Sequence, residues 1–441
     1  MMSGMGDRFF IEGGVPLAGS LAVRGSKNAA SKLMVASLLT DQPSTIENVP
    51  MSVEIDITRE LCEKIGSTVS AVGDYEIRIV TPKVTTSLVP ELSRKNRIPI
   101  LALGPLLHRA GVAEVPVLGG CPIGHRPIDF HVAALREMGV EIERREHSYY
   151  AEAQEIRGAD IAFPWPSVGA TESVILAAVL AKGRTRIENA AVEPEIMNLI
   201  EMLCAMGAKI SVREAKRSIE VEGVLSLGGA RIRVMPDRNE IVSFATAALA
   251  TGGSVCIENI EDWYLKTFLS HLDAIGAGYE KEGSGMRFFK KGPFRPDSIR
   301  TEPHPGFMTD WQQQFLVVLT AAEGISIIHE TVYEDRLGYT EDLRRMGAYI
   351  EVSGVCPVGS ECRFFGGGYK HVARITGPAK LKGTRIRIPD LRAGMAHVVA
   401  ALAAQGESVL EEIHHLDRGY EKIDERLETI GARIRRVMDG E

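Results

Sequence analysis

The hydrophobic pattern of this chain repeats six times. In each repeat, a helical segment with one charged face ends at a glycine, and a short segment of alternating apolar and polar residues follows. A glycine just past a helix end is typical of a left-handed backbone, and alternation with a period of two predicts a strand. The six glycines, separated by 68 to 84 residues, are Gly66, Gly139, Gly207, Gly276, Gly347 and Gly431.

Each repeat also contains an earlier helical segment made of small and apolar residues. These six segments are residues 29–40, 98–109, 170–181, 241–250, 312–322 and 393–403. Because they are apolar on nearly all sides, we predict buried helices, each followed by a strand. The pattern therefore predicts an α/β fold, and the length of 441 residues favours two domains of three repeats each over a single core.

Composition narrows the class of protein. A hydrophobic fraction of 45% and a charged fraction of 25% are typical of soluble globular proteins. The net charge of −7 argues against a nucleic-acid-binding surface or a basic membrane patch, and no apolar run approaches the ~20 residues that cross a bilayer. The cysteines are widely separated, which predicts free thiols, a reducing compartment and a cytoplasmic location.

The last interval between repeats is the longest, and its excess falls in residues 356–371. This segment has glycines and aromatic residues but no clear period, so we predict an inserted loop or hairpin. It contains Cys356 and Cys362, whose pairing a reducing compartment disfavours.

We predict no metal site. The cysteines lack zinc-ligand spacing, and His125, His414 and His415 lack a third ligand at a useful separation. The thiols that fall on helix or strand patterns, and are predicted to be buried, are Cys62, Cys204 and Cys256.

Residues 118–127 form the most distinctive loop. Three glycines and two prolines exclude a helix or a central strand, and the loop presents Cys121 and Arg126. Such loops on a rigid frame often carry binding or catalytic groups. A tight turn with an incidental cysteine is the alternative interpretation.

Basic residues stand where several of the predicted buried helices begin: Lys27, Arg97, Arg238 and Arg392. Helix stability alone disfavours cations at this end, whereas anions suit its free N–H groups. The arrangement indicates a site that grips phosphate and carboxylate groups through forked hydrogen bonds. Alternatively, individual arginines pair with nearby aspartates and tie the repeats together.

Several segments resemble the UDP-N-acetylglucosamine 1-carboxyvinyltransferase family of enolpyruvyl transferases: GSKNAA (25–30), GGCPIGHRPID (119–129), SVGATES (167–173), PHPGFMTD (303–310), DLRAG (390–394) and HLDRGYE (415–421). The resemblance runs from Asp7 to Val437. It implies an inside-out α/β barrel of two domains, each with three βαβαββ repeats. The implied domains are residues 27–235, with the cysteine loop, and residues 1–26 with 236–441, with the insertion.

The implied reaction transfers the enolpyruvyl group of phosphoenolpyruvate to the 3-hydroxyl of UDP-N-acetylglucosamine and releases phosphate. It is the first committed step of peptidoglycan synthesis and requires no metal or organic cofactor. The implied partners are these two small molecules, with neither nucleic acid nor membrane; the oligomeric state stays open.

The resemblance also assigns residues. Cys121 matches a proton donor that can carry a phosphoenolpyruvate adduct, and Asp310 matches a general base or orienting group; Lys27 and Arg418 complete the catalytic set. The implied substrate-binding residues are Lys27, Asn28, Arg97, Arg126, Pro127, Ile128, Asp129, Phe130, Trp165, Pro166, Ser167, Val168, Gly169, Asp310, Val332, Arg336, Arg392 and Arg418.

The chain departs from the family pattern at Pro122, at Trp165–Pro166 and at residues 239–243. Two alternatives therefore remain: an enolpyruvyl transferase acting on another nucleotide or sugar hydroxyl, and an inactive regulatory protein that binds nucleotide sugars.

Overall fold

The repeats predicted from the hydrophobic pattern are present in a computed structural model, which describes residues 6–91, 97–117 and 127–438. All six glycines have φ between 78° and 121°, and each is followed within two residues by a strand. The left-handed helix ends are therefore confirmed.

The strands of the described residues are β1 (Arg8–Glu12), β2 (Ala18–Ala22), β3 (Ser44–Glu47), β4 (Thr68–Gly73), β5 (Glu76–Val80), β6 (Val112–Pro116), β7 (Glu141–Arg144), β8 (Ser148–Glu152), β9 (Asp160–Ala162), β10 (Arg184–Glu188), β11 (Lys209–Arg213), β12 (Ser218–Glu222), β13 (Arg231–Arg233), β14 (Ser254–Glu258), β15 (Gly278–Glu282), β16 (Gly285–Phe289), β17 (Ser298–Arg300), β18 (Gly324–His329), β19 (Tyr349–Ser353), β20 (Val372–Gly377), β21 (Arg385–Arg387), β22 (Glu407–Glu411) and β23 (Arg433–Val437).

The α-helices are α1 (Lys27–Ala36), α2 (Val53–Ile65), α3 (Leu103–Ala110), α4 (Asp129–Glu137), α5 (Val168–Ala178), α6 (Pro194–Ala205), α7 (Arg238–Ala250), α8 (Lys266–Ile275), α9 (Gln312–Leu319), α10 (Thr340–Arg345), α11 (Leu391–Ala403), α12 (His414–Asp417) and α13 (Ile423–Thr429). Among the described residues, every helix is too short or too polar to cross a lipid bilayer.

The described chain separates into two compact units. The middle unit comprises residues 25–91, 97–117 and 127–235, and the terminal unit comprises residues 6–24 and 236–438. Each unit surrounds buried helices with three sheets, so the predicted inside-out α/β architecture is confirmed.

The middle unit contains the sheets β13-β3-β5-β4, β11-β12-β10-β9 and β6-β8-β7. In the first two, one parallel pair (β13 with β3, β9 with β10) extends three antiparallel strands. Its central helices are α1, α3 and α5. Helices α3 and α5 approach closely at Gly104, where an added Cβ would lie 3.0 Å from the backbone nitrogen of Ala177. Predicted helix 98–109 divides here into a 3-10 turn, Ile98–Ala102, and α3.

The terminal unit contains the sheets β21-β22-β1-β23, β15-β16-β14-β2 and β17-β18-β20-β19. Its buried helices α7, α9 and α11 contact one another. Their interiors are apolar, but their first turns bury polar side chains, including Arg238, Gln312 and Arg392. Burying polar groups is costly unless they are hydrogen-bonded, so these helix starts mark a specialised region.

Residues 354–371 connect β19 to β20 and contain a single 3-10 turn, Gly359–Glu361. The connection is thus a loop, one of the two forms predicted for residues 356–371. Cys62 and Cys256 are buried as predicted, but the prediction for Cys204 is wrong because its side chain is exposed.

Candidate active site

In the middle unit, Lys27 and Asn28 lie at the start of α1. The side chain of Ser26 caps this helix by accepting a hydrogen bond from the backbone nitrogen of Ala29 at 3.4 Å. The Lys27 Nζ donates to Asn28 Oδ1 at 3.1 Å. The helix start thus presents an ammonium group and an amide side by side, next to backbone N–H groups that favour anions.

A second cluster surrounds the start of α5. The hydroxyl of Ser167 caps the helix by accepting from the Ala170 nitrogen, and Val168 is its first residue. A Cβ added to Gly169 would lie 3.0 Å from Cε1 of His131, so only glycine lets this ring approach.

The Nδ1 of His131 lies 2.7 Å from Oγ of Ser173. Burial and, to a smaller extent, the positive charge of Arg97 together lower the pKa of His131 to about 3. The imidazole is therefore neutral at physiological pH. Arg97 directly precedes the 3-10 turn Ile98–Ala102, and its positive charge acts on the His131 ring.

Other residues of the predicted nucleotide-sugar set lie at the start of α4 and before α5. Pro127 and Asp129 are exposed, whereas Ile128 is buried. The ring of Phe130 stacks on Phe163 with centroids 6.1 Å apart. Half-buried Trp165 and Pro166 precede the α5 cap.

The structure does not describe every predicted residue. Cys121 and Arg126, together with the rest of the loop at residues 118–126, lie outside the described residues. Their predicted roles stay predictions.

In the terminal unit, Asp310 is held between two arginines. Its Oδ1 accepts a hydrogen bond from Arg336 Nη2 at 2.6 Å, and its Oδ2 accepts from Arg392 Nε at 3.0 Å. Burial alone would raise the pKa of Asp310, but the two guanidiniums outweigh it and hold the pKa well below its usual range. The carboxylate is therefore ionised at any physiological pH.

A buried glutamate, which the sequence analysis missed, shapes the chain around Arg336. Glu330 accepts hydrogen bonds from the Thr309 hydroxyl at 2.8 Å and from the backbone nitrogens of Val332 at 2.8 Å and Tyr333 at 3.1 Å. Thr309 in turn accepts from Arg336 Nη1 at 3.3 Å. Glu330 thus fixes the position of predicted Val332 and, through Thr309, supports Arg336. A glutamate at a strand end gives no sequence signal for burial.

Arg392 is oriented by the cap of its own helix and by a tyrosine that follows α12. Asp390 caps α11 and accepts from the backbone nitrogen of Arg392 at 2.8 Å. The Arg392 Nη1 donates to the Tyr420 hydroxyl at 3.2 Å, and that hydroxyl lies 2.8 Å from Ser243 Oγ. Half-buried Arg418 follows α12, two residues before Tyr420. Tyr420 was not predicted as a site residue, although it lies in the segment HLDRGYE, which was among those that resemble the family.

Two guanidiniums surround one carboxylate in a largely buried region. The side chains of Arg336 and Arg392 are 3% and 6% exposed, and that of Asp310 is 18% exposed. Arginine forks in such surroundings recognise phosphate and carboxylate groups. Among the described residues, the one histidine and cysteine group arranged to hold a metal lies at the end of β18, not around Asp310.

A family model described as EPSP synthase (3-phosphoshikimate 1-carboxyvinyltransferase) matches residues 11–427. The enolpyruvyl transferase NikO from Streptomyces tendae has a similar structure, with a TM-score of 0.86 at 22% identity, covering 99% of this chain and 100% of that one. EPSP synthase from Acinetobacter baumannii gives a TM-score of 0.74 at 17% identity, covering 98% and 100%. The fold and the family match define the class, which is that of the enolpyruvyl (carboxyvinyl) transferases.

Relatives specify the family more closely. The UDP-N-acetylglucosamine 1-carboxyvinyltransferase of Protochlamydia amoebophila (strain UWE25) is 43% identical, covering 97% of this chain and 94% of its own. The protein of the same description from Desulfovibrio desulfuricans is 40% identical, covering 98% and 99%. The chain therefore belongs to the UDP-N-acetylglucosamine 1-carboxyvinyltransferase family.

Proposed function

We propose that the chain transfers the enolpyruvyl group of phosphoenolpyruvate to the 3-hydroxyl of UDP-N-acetylglucosamine and releases phosphate. This reaction is the first committed step of peptidoglycan synthesis. The observation that carries the proposal is the Asp310 carboxylate held between Arg336 and Arg392 in a member of this family. We also propose a cytoplasmic location, which the free thiols of the five described cysteines support.

The anionic groups of the proposed substrates match the positively charged side chains of the candidate site. Phosphoenolpyruvate carries a phosphate and a carboxylate, which arginine forks and a helix-start lysine bind well. We assign this role to Lys27, Arg392 and Arg418. We assign contacts with the nucleotide sugar to the α5 cluster and to residues 127–130 and 165–166.

The reaction needs a proton on the methylene carbon, attack of the sugar oxygen on the oxocarbenium-like centre, and removal of the hydroxyl proton. We assign the proton donation to Cys121, because a thiol whose pKa is lowered by cationic groups can exchange a proton at physiological pH.

Asp310 is assigned to the sugar hydroxyl. A carboxylate whose pKa is depressed by two arginines is a strong hydrogen-bond acceptor but a weak base. In the free protein this supports an orienting role; proton abstraction requires that one of the arginine contacts be released when substrate binds.

The test is phosphate release from phosphoenolpyruvate in the presence of UDP-N-acetylglucosamine. Native protein and Cys204→Ser, which changes an exposed thiol, should release phosphate at equal rates. Cys121→Ser should be slower by at least about 100-fold. Absence of release by native protein would refute the proposal. If another sugar nucleotide restored release, the acceptor would need reassignment.

A further inference from the structure

Four side chains with metal-ligand chemistry converge where β18 ends. They are His329, Cys356, Cys362 and His371, and their ligand atoms all lie within 4.8 Å of one another. The Sγ of Cys356 is 3.4 Å from Nε2 of His329, and the Sγ of Cys362 is 3.6 Å from Nε2 of His371.

These distances match the edges of a tetrahedron around zinc. With Zn–S near 2.3 Å and Zn–N near 2.0–2.1 Å, tetrahedral angles place sulfur and nitrogen ligands about 3.6 Å apart. Two thiolates and two imidazoles are also a standard ligand set for structural zinc. We propose that His329, Cys356, Cys362 and His371 bind one structural Zn²⁺ ion.

Neighbouring groups orient the ligands as zinc sites require. The Nδ1 of His371 lies 2.9 Å from the backbone oxygen of Tyr369, so Nδ1 carries the proton and Nε2 faces the cluster. The backbone nitrogen of Phe364 donates to the Sγ of Cys362 at 3.4 Å. An N–H group directed at sulfur stabilises a thiolate. Both contacts are of the kind that support metal ligands from outside the coordination sphere.

The cluster is closed by protein. His329, Cys362 and His371 are buried, and Cys356 is half-buried. The ring of Phe364 packs against His371 with centroids 5.6 Å apart. Four protein ligands leave no open position for substrate or water, so the ion would serve structure and not catalysis.

Zinc binding at this site would also stabilise the folded form of the β19–β20 connection. Three of the four ligands lie in or at the end of residues 354–371, a segment whose regular structure is a single 3-10 turn. Metal binding supplies folding free energy to segments that lack a core of their own. A set of weak thiol–imidazole hydrogen bonds without metal is the alternative explanation of the same distances.

The position of the ion links the insertion to the candidate active site. His329 directly precedes Glu330, and the backbone nitrogen of Glu330 donates to the oxygen of His371 at 2.8 Å. Glu330 holds the amide groups of Val332 and Tyr333. An ion at this point would therefore tie the insertion to the segment that leads to Arg336.

The experiment measures metal in the purified full-length chain after reconstitution with Zn²⁺ and removal of loosely bound ions. Elemental analysis should find about one zinc per chain in native protein. Cys362→Ser and His371→Asn should lose it. The controls Cys204→Ser and His147→Asn, which change an exposed thiol and an exposed imidazole, should retain it.

A second measurement uses native protein alone, so it stands even if the variants fail to fold. Replacing Zn²⁺ with Co²⁺ should give the visible absorption of a tetrahedral ion and a near-ultraviolet thiolate charge-transfer band, saturating at about one ion per chain. Metal content below about 0.1 per chain without a cobalt spectrum would overturn the proposal. A Cys356–Cys362 disulfide in protein purified under reducing conditions would also overturn it.

Discussion

Replacing Asp310 with asparagine should separate the structural and chemical roles of the arginine-held carboxylate. The substitution keeps the size of the side chain but removes the charge that neutralises Arg336 and Arg392, both nearly fully buried. Removing one partner from a buried ion pair typically costs about 3–5 kcal/mol. Because the remaining amide oxygen still accepts from one guanidinium, we expect a loss of about 3 kcal/mol in the free energy of unfolding.

The kinetic effect should differ between binding and turnover. With the carboxylate gone, the arginines retain their positive charge, so KM for phosphoenolpyruvate should stay the same or fall. Without a group to orient the sugar hydroxyl, kcat should fall by at least about 100-fold.

The assays are urea unfolding followed by fluorescence of buried Trp311, which adjoins Asp310, and steady-state phosphate release. The matched control is Asp262→Asn, because Asp262 pairs with Lys281 at a site where both side chains are well exposed. Exposed pairs contribute at most about 1 kcal/mol.

The stability difference should also be independent of pH. A depressed pKa means that Asp310 contributes stability above its unfolded-state pKa and loses the contribution only as pH falls through the lower, folded-state pKa. The difference should therefore be constant from about pH 5 to about pH 8. The reasoning is refuted if Asp310→Asn matches Asp262→Asn in stability, or if it turns over within about threefold of native protein.

Three further substitutions test other parts of the molecule. Burial raises the pKa of Glu172 to about 7. The stability of the native protein should therefore fall between about pH 4.5 and pH 7, because the carboxyl ionises first in the unfolded state. Glu172→Gln should abolish this fall and be more stable than native protein by about 3 kcal/mol at pH 8 in urea unfolding. Gly169→Ala should cost about 1–3 kcal/mol in thermal unfolding, because the new methyl group would press on the His131 ring. Tyr420→Phe should cost about 1–2 kcal/mol in urea unfolding and raise KM for phosphoenolpyruvate, because Arg392 loses a hydrogen-bond acceptor.

Each substitution has a control with the same chemical change in open surroundings. These are Glu60→Gln, Gly338→Ala and Tyr349→Phe, at exposed or uncrowded positions. A pH profile of Glu172→Gln parallel to that of native protein would contradict the assignment of the buried carboxyl. Equal stability of Gly169→Ala and Gly338→Ala would contradict the steric argument. An unchanged KM for phosphoenolpyruvate in Tyr420→Phe would show that Tyr420 does not influence substrate binding.

Local signals made much of the fold predictable. A glycine that ends a helix can be recognised from a few neighbouring residues, and so can a helix that is apolar on all sides. All six repeats could therefore be found from the sequence. Cys204 shows the limit of this reasoning. It lies on α6 directly after buried Leu203, but one residue turns the side chain to the solvent side of the helix.

Long-range pairing was not predictable from spacing. His329 is 27 residues before Cys356 in the chain, yet antiparallel pairing of β18 with β20 sets His329 opposite Val372, next to His371. For this reason, no metal site was predicted from the sequence. Glu330 was missed for the same reason, because its partners Thr301 and Thr309 come from a different part of the chain.

The strand order of the terminal unit sets the order in which the chain can fold during synthesis. β1, near the amino end, lies between β22 and β23, and Arg8 pairs with both Glu411 and Val437. Its partners are therefore synthesised after every strand of the middle unit. All strands of the middle unit have been synthesised once β13 has left the ribosome. The middle unit can therefore complete its sheets before the partners of β1 are available. The newborn chain must keep an apolar strand, with Phe9 and Ile11 on its buried face, from pairing elsewhere for over 170 further residues. Premature pairing of β1 is the step at which we expect chaperones to act.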